Sequence, residues 1–124
     1  MTDKLNQFVG QRYMSLETYR RNGSPVRTPV WFVEHNGELM FYTMAASGKA
    51  KRLRRERGVR VAPCDARGNV KGAWLEGSAR LLEGKEAREL YAMLNRKYGW
   101  QRRLISLLAW LRSRPRAGYA IRFT

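Results

Sequence analysis

The sequence predicts a mainly β protein with flanking helices, its six short antiparallel strands closing into a small barrel. Three observations lead there. Segments of alternating or continuous apolar character recur at 12–20, 26–34, 39–43, 59–65, 73–82 and 118–124. Turn-forming pairs punctuate them, Asn22-Gly23 and Asn36-Gly37 being the clearest. Helical periodicity is confined to short stretches between strands. Closing such a set removes strand edges that would otherwise pair with other chains.

Taken in order, residues 1–11 form a short helix leading into the first strand. In 12–20, Tyr13, Ser15, Glu17 and Tyr19 share one face, and Met14, Leu16 and Thr18 the other. Asn22-Gly23-Ser24-Pro25 makes a turn. The strand over 26–34 is apolar on both faces after Pro29, which implies a barrel whose outside is covered, another subunit being one candidate for the cover. Asn36-Gly37 is a two-residue hairpin turn into Leu39–Thr43. Ser47 is an N-cap for a short, very basic helix, which Gly58 ends. Pro63 confines the strand over 59–65 to an edge or bulge. Residues 66–69 are a loop, and Gly77 marks a bulge or bend in 73–82. The helix over 84–98 gathers Ala87, Leu90, Tyr91, Leu94 and Tyr98 on one face and closes at Gly99. A second helix over 100–112 carries Leu104, Leu107, Leu108 and Leu111, and Pro115 stops it. Its stripe covers the barrel and its arginines face solvent.

The 124 residues make one domain, with a core of useful size. A formal net charge of +15 favours anionic partners: nucleic acid, a membrane surface or a phosphorylated small molecule. The single cysteine, Cys64, forms no disulfide within the chain and fits a reducing compartment. No apolar run resembles a signal peptide or spans a bilayer, so the expected location is cytoplasmic, with no membrane partner.

The most informative stretch is 43–57. A helix N-terminus attracts phosphate through its free N–H groups and dipole. Lys49, Lys51 and Arg52 crowd the first turn after Ser47, where cations are unfavourable unless an anion sits among them. The competing reading is a solvated basic face. Thr28-Pro29-Val30-Trp31 lies one hairpin from Thr43, and a proline-broken edge there suits a flat ring whose phosphate reaches Ser47, Lys49, Lys51 and Arg52. An ordinary edge-strand proline is the alternative. There is no Ser–His–Asp set, no paired carboxylates and no metal-ligand cluster, so a protein-derived nucleophile is not expected and no catalytic residue is assigned. His35 reads as an exposed turn residue and Cys64 as a small buried hydrophobe. Trp74 reads either as a cap on the ring from a partner subunit or as a core-packing or dimer contact. Trp31 and Trp100 share that ambiguity, with Trp31 the better cofactor wall, and Tyr98 reads as a core residue.

With those motifs in place, the chain resembles the pyridoxamine-phosphate-oxidase-like split-barrel flavoproteins. More narrowly, it resembles their deazaflavin-dependent oxidoreductase branch. The resemblance rests on Tyr13–Arg20, on Thr28-Pro29-Val30-Trp31-Phe32 and on Ser47-Gly48-Lys49-Ala50-Lys51-Arg52-Leu53-Arg54. Ala62–Gly68, Glu76–Arg80 and Arg96-Lys97-Tyr98-Gly99 add to it. It implies a six-stranded split barrel, a homodimer with the cofactor at its interface, and F-420 or FMN as cofactor, haem being the group bound by other members. It further implies that Thr28, Pro29, Val30, Trp31 and Thr43 line the ring, and that Ser47, Lys49, Lys51 and Arg52 hold the phosphate. The expected activity is hydride transfer to a small electron-poor substrate. The rivals are a non-catalytic carrier and a nucleic-acid binder; the chain has no helix-turn-helix, zinc-finger spacing or RNP motif to support the second.

Overall fold

The computed structural model describes residues 2–98 and 116–123. The helix expected over 100–112, with Trp100 and Pro115, lies outside them. The chain opens with α1 (Thr2–Leu5) and a 3-10 turn (Asn6–Phe8), in place of one helix over 1–11. There follow β1 (Tyr13–Tyr19), β2 (Pro25–Trp31), β3 (Val33–His35), β4 (Glu38–Met44), α2 (Gly48–Arg55), β5 (Gly58–Cys64), β6 (Leu75–Leu82), α3 (Lys85–Tyr98) and β7 (Arg116–Phe123). The strands form one antiparallel sheet in the order β2-β1-β5-β6-β7-β4-β3.

The mainly β, split-barrel class holds, but with seven strands rather than six. The run over 26–34 is two strands. β2 pairs with β1, with Trp31 opposite Tyr13. β3 pairs with β4, with Val33 opposite Met40. The chain therefore leaves one rim of the sheet and joins the other within a single residue, Phe32. Nothing in Val30-Trp31-Phe32-Val33 punctuates that corner. Its backbone groups, lost to any ladder, are met from α3. The Phe32 N–H donates to Tyr98 Oη at 3.3 Å, and Lys97 Nζ donates to the Phe32 carbonyl at 2.8 Å. Tyr98 Oη in turn donates to the Arg12 carbonyl at 2.7 Å. Buried backbone groups need such partners.

Alternation sorts the rest. Leu16, Phe41, Val61 and Ile121 point inward and join Leu5, Phe8, Phe32 and Leu53 in one core. Met40 and Ala120 point outward and pack with Val33, Leu90, Leu94 and Tyr98. The cover over the outer face of β4 and β7 is thus α3 of the same chain, and Trp31 stacks on Tyr98 at 5.4 Å. At Gly118 the helix packs near enough that a Cβ would sit 2.9 Å from Leu90 Cδ2.

Two glycines differ from expectation. Gly77 is in register, opposite Val59 and Phe123, not in a bulge. A Cβ on it would lie 2.7 Å from Ile121 Cγ2 and 2.8 Å from the Arg122 carbonyl, so close approach demands glycine. Gly58 begins β5 instead of capping α2, whose last cap is Glu56. The Asn36-Gly37 turn is as expected, with φ of 52° and 77°. Pro63 also fits: β5 pairs with β6 only as far as Val61, leaving the end of β5 with one ladder.

Candidate functional site

Where β1, β2, β4 and α2 converge, the surface opens into a groove of about 260 Å³. Pro29, Val30 and Trp31 of β2 form one wall, Tyr42 and Thr43 of β4 another, and Lys49 of α2 stands at the helix end. Five of the nine sequence-predicted site residues therefore meet in one place. Tyr13 and Met44 complete the lining. Tyr13 comes from β1 because it is paired with Trp31, and their rings lie 6.5 Å apart. Sequence reasoning missed Tyr13, Tyr42 and Met44. The Asn22-Gly23 turn, once its register is counted out, brings Tyr13 opposite Trp31; Tyr42 has no such local signal.

Alternation divides the β2 set. Pro29 and Trp31 face outward, whereas Val30 joins the core and Thr28, opposite Leu16, shares its inward face. Thr28 Oγ1 is buried without a hydrogen-bond partner, and so is Tyr42 Oη. An unsatisfied buried hydroxyl is costly; Tyr42 belongs to the groove lining, whereas Thr28 lies outside it, on the inward face of β2. Burial, followed by the neighbouring Tyr91, pushes the Tyr42 phenol up to about 12, and it stays protonated.

Ser47 is the N-cap of α2, as the sequence indicates. Its Oγ accepts the Ala50 N–H at 3.1 Å and lies 3.1 Å from Thr43 Oγ1, which ties the strand end to the helix start. No acidic residue occupies the first turn. Lys49 is half-buried, and desolvation, then the Arg52 charge, lowers its pKa. Arg52, one turn on, donates through Nε to Thr18 Oγ1 at 2.7 Å. Lys51 is exposed and lies outside the groove lining, because residues two apart on a helix point away from each other. Lys49 and Arg52 share a side; Lys51 does not.

Next to the groove, on the outer face of β1, stands a different arrangement. Glu17 is 1% exposed and lies directly between Arg27 of β2 and Arg60 of β5. Arg27 Nε and Arg60 Nε each reach its carboxylate at 2.7 Å, and Tyr19 donates to it at 2.6 Å. The Arg60 bond, with Tyr19 and Arg27 after it, overcomes burial and holds the carboxyl at about 2. Trp74 covers both guanidiniums, its ring centroid 4.8 Å from Arg27 and 5.2 Å from Arg60. That is a packing role, one of the two readings weighed for Trp74.

His35 sits exposed beside the Asn36-Gly37 turn, as expected, and contacts Asn36 at 3.1 Å. Cys64 is buried and its thiol is pushed up, chiefly by desolvation, which makes it inert. Among the described residues no cluster of metal-ligating side chains occurs, and no helix is long and apolar enough to cross a membrane.

A sequence profile of the family described as pyridoxamine 5'-phosphate oxidase matches residues 1–122. No curated protein matches the chain by sequence. Solved structures are similar at low identity. HutZ, the heme storage protein from Vibrio cholerae, superposes with a TM-score of 0.75 at 13% identity, covering 99% of this chain and 89% of its own. A conserved hypothetical protein from Mycobacterium tuberculosis gives 0.73 at 23% identity, covering 98% and 79%. A FAD-binding protein from Mesorhizobium loti gives 0.67 at 15% identity, covering 98% and 86%. At these identities the likeness is one of fold.

Proposed function

The chain belongs to the pyridoxamine 5'-phosphate oxidase family, and from that premise we propose that it is an oxidoreductase using a flavin-type cofactor. F-420 is the favoured cofactor, on the resemblance to the deazaflavin branch, with FMN as the alternative. The observation that carries the reading is the groove itself, which joins an aromatic, proline-edged wall to a cationic helix start within one opening. The residues fit such a group. Tyr42 Oη, in the groove lining, lacks a partner that a polar ring edge supplies. Lys49 has a depressed pKa that a bound phosphate would raise again.

In this reading Trp31 and Pro29 flank the ring, and Thr43 and Ser47 present hydroxyls at its phosphate side. Lys49, the α2 N–H groups and Arg52 hold the phosphate, and Lys51 contributes at longer range. When bound, a flavin or deazaflavin supplies hydride chemistry, and the protein supplies position and electrostatics. Tyr13 and Trp31 keep water from one side of the groove. Tyr42, protonated at working pH, offers a hydrogen bond to developing negative charge. Pro29 is exposed, so the groove is open on that side, and a second copy of the chain closing it is the partner we expect. The substrate is a small electron-poor molecule.

Titration of the purified protein with F-420 and with FMN, followed by fluorescence, tests this. Micromolar binding of at least one is expected, and binding of neither overturns the cofactor reading. Turnover of an electron-poor acceptor by the loaded protein separates an oxidoreductase from a carrier.

A further inference from the structure

A second groove, of about 500 Å³, lies on the other side of the Phe32 corner, between the N-terminal turn, β3 and α3. Phe8, Phe32 and Met93 give it an apolar body, and Glu34, His35, Arg96 and Lys97 its charged and titratable rim. Nothing in the proposed hydride chemistry uses it. Lys97 is its unusual member. The ammonium is half-buried and has no carboxylate partner among the described residues. Its Nζ donates to the Phe32 carbonyl at 2.8 Å and stands 3.6 Å from the Phe32 ring centroid and 5.1 Å from that of Tyr98. One carbonyl and two aromatic faces replace the water and counter-ion a surface lysine would have.

We propose that Lys97 is a nucleophilic amine in a second ligand site, where it forms an imine with small aldehydes or keto acids that carry an anionic group. Burial lowers the Lys97 ammonium to about 8, so a sizeable share is neutral near physiological pH. The same helix places Arg96 in the groove wall, with no carboxylate partner among the described residues, as an anchor for the anion. Glu34 balances the rim once Lys97 is the neutral amine, so Arg96 is left to meet a single anionic group and a polyanion finds no further cation on the rim. Desolvated lysines without counter-ions are the type that attacks carbonyl carbon.

The step balances without an oxidant. The Lys97 lone pair forms the N–C bond and the carbonyl π pair moves to oxygen. Proton transfer gives a carbinolamine. Loss of its hydroxyl with one proton, as water, leaves the C=N bond, and no electrons are gained or lost.

The test uses the full chain with glyoxylate as the anionic probe and propionaldehyde as the neutral one. Cyanoborohydride traps the imine, and peptide mass spectrometry reads the site. Glyoxylate is expected to label Lys97 about tenfold faster than exposed Lys51 and Lys85, with a half-maximal rate near pH 8. Arg96→Gln should slow glyoxylate severalfold while leaving propionaldehyde unchanged. Lys97→Arg, which keeps the cation and its contacts, should abolish labelling at that position with the melting temperature retained. Equal labelling of Lys97, Lys51 and Lys85 would overturn the proposal, as would labelling of Lys49 without Lys97. An Arg96→Gln effect identical for both probes would remove the anion site. Because this groove shares no lining residue with the cofactor groove, failure here leaves F-420 and FMN binding unaffected.

Discussion

Two cationic regions of this protein are built on opposite plans. On the outer face of β1, Arg27 and Arg60 are matched to one buried carboxylate, Glu17, and roofed by Trp74. Arg80 is likewise matched to Glu38 and Glu86. On α2, none of Lys49, Lys51, Arg52, Arg54 and Arg55 meets a carboxylate among the described residues. The three arginines rest on neutral oxygens: Arg52 on Thr18 Oγ1, Arg54 on the Ala45 carbonyl, Arg55 on the Tyr19 carbonyl. The comparison separates cations that hold the sheet from cations left available. Net charge alone, at +15, does not distinguish them.

The largest expected effect falls on the matched region. Glu17→Ala leaves two guanidiniums facing each other beneath Trp74 and, with both arginines partly exposed, should cost about 2–3 kcal/mol of stability, read by urea unfolding. F-420 or FMN affinity of the folded fraction should be unchanged. If affinity falls with stability, the two regions are not separate. Lys49→Ala should do the reverse. Cofactor affinity drops by about 1.5–3 kcal/mol, while the unliganded protein is no less stable, because an uncompensated buried ammonium has gone. Unchanged affinity in a fluorescence titration would put the phosphate elsewhere.

Acid titration sharpens the contrast. The Glu17 carboxyl is held at about 2 against an ordinary 4.5, so its contribution is complete above pH 4.5 and disappears as pH falls towards 2. With both arginines partly exposed, about 2 kcal/mol should be lost over that window. A Glu17→Gln variant should show a correspondingly flatter profile. The smallest effect belongs to Thr28→Val. Removing an orphaned hydroxyl should leave the unliganded protein as stable or firmer by up to about 1 kcal/mol, and should weaken cofactor binding by about 0.5–1.5 kcal/mol.

How much of this was legible beforehand follows from the range of each signal. The strand ladder, the Asn36-Gly37 hairpin and the Ser47 cap are local, and local patterns carry them. The corner at Phe32 is not local. Val30-Trp31-Phe32-Val33 looks continuous, and only Lys97 and Tyr98, more than sixty positions away, make a break there tolerable. Gly77 has the same character: its reason is Ile121. For the groove, Pro29, Trp31, Thr43 and Lys49 announce themselves through proline, aromatic and helix-start chemistry. Tyr42 does not, since its orphaned hydroxyl exists only once α3 has packed. The Glu17 cluster was hidden because an acid in an alternating strand looks solvent-facing until both neighbouring strands supply arginines.

The Phe32 corner has one more effect. Both rims of the sheet, β2 and β3, are halves of a single run, so the cylinder is sealed there by covalent backbone instead of a zipper of hydrogen bonds. The amides that point off those rims have no strand to shelter them, although they lie in one of the most apolar parts of the chain. Deuterium should therefore enter first where hydropathy forecasts the slowest exchange, and last along β5, β6 and β7, whose sequences look far more ordinary.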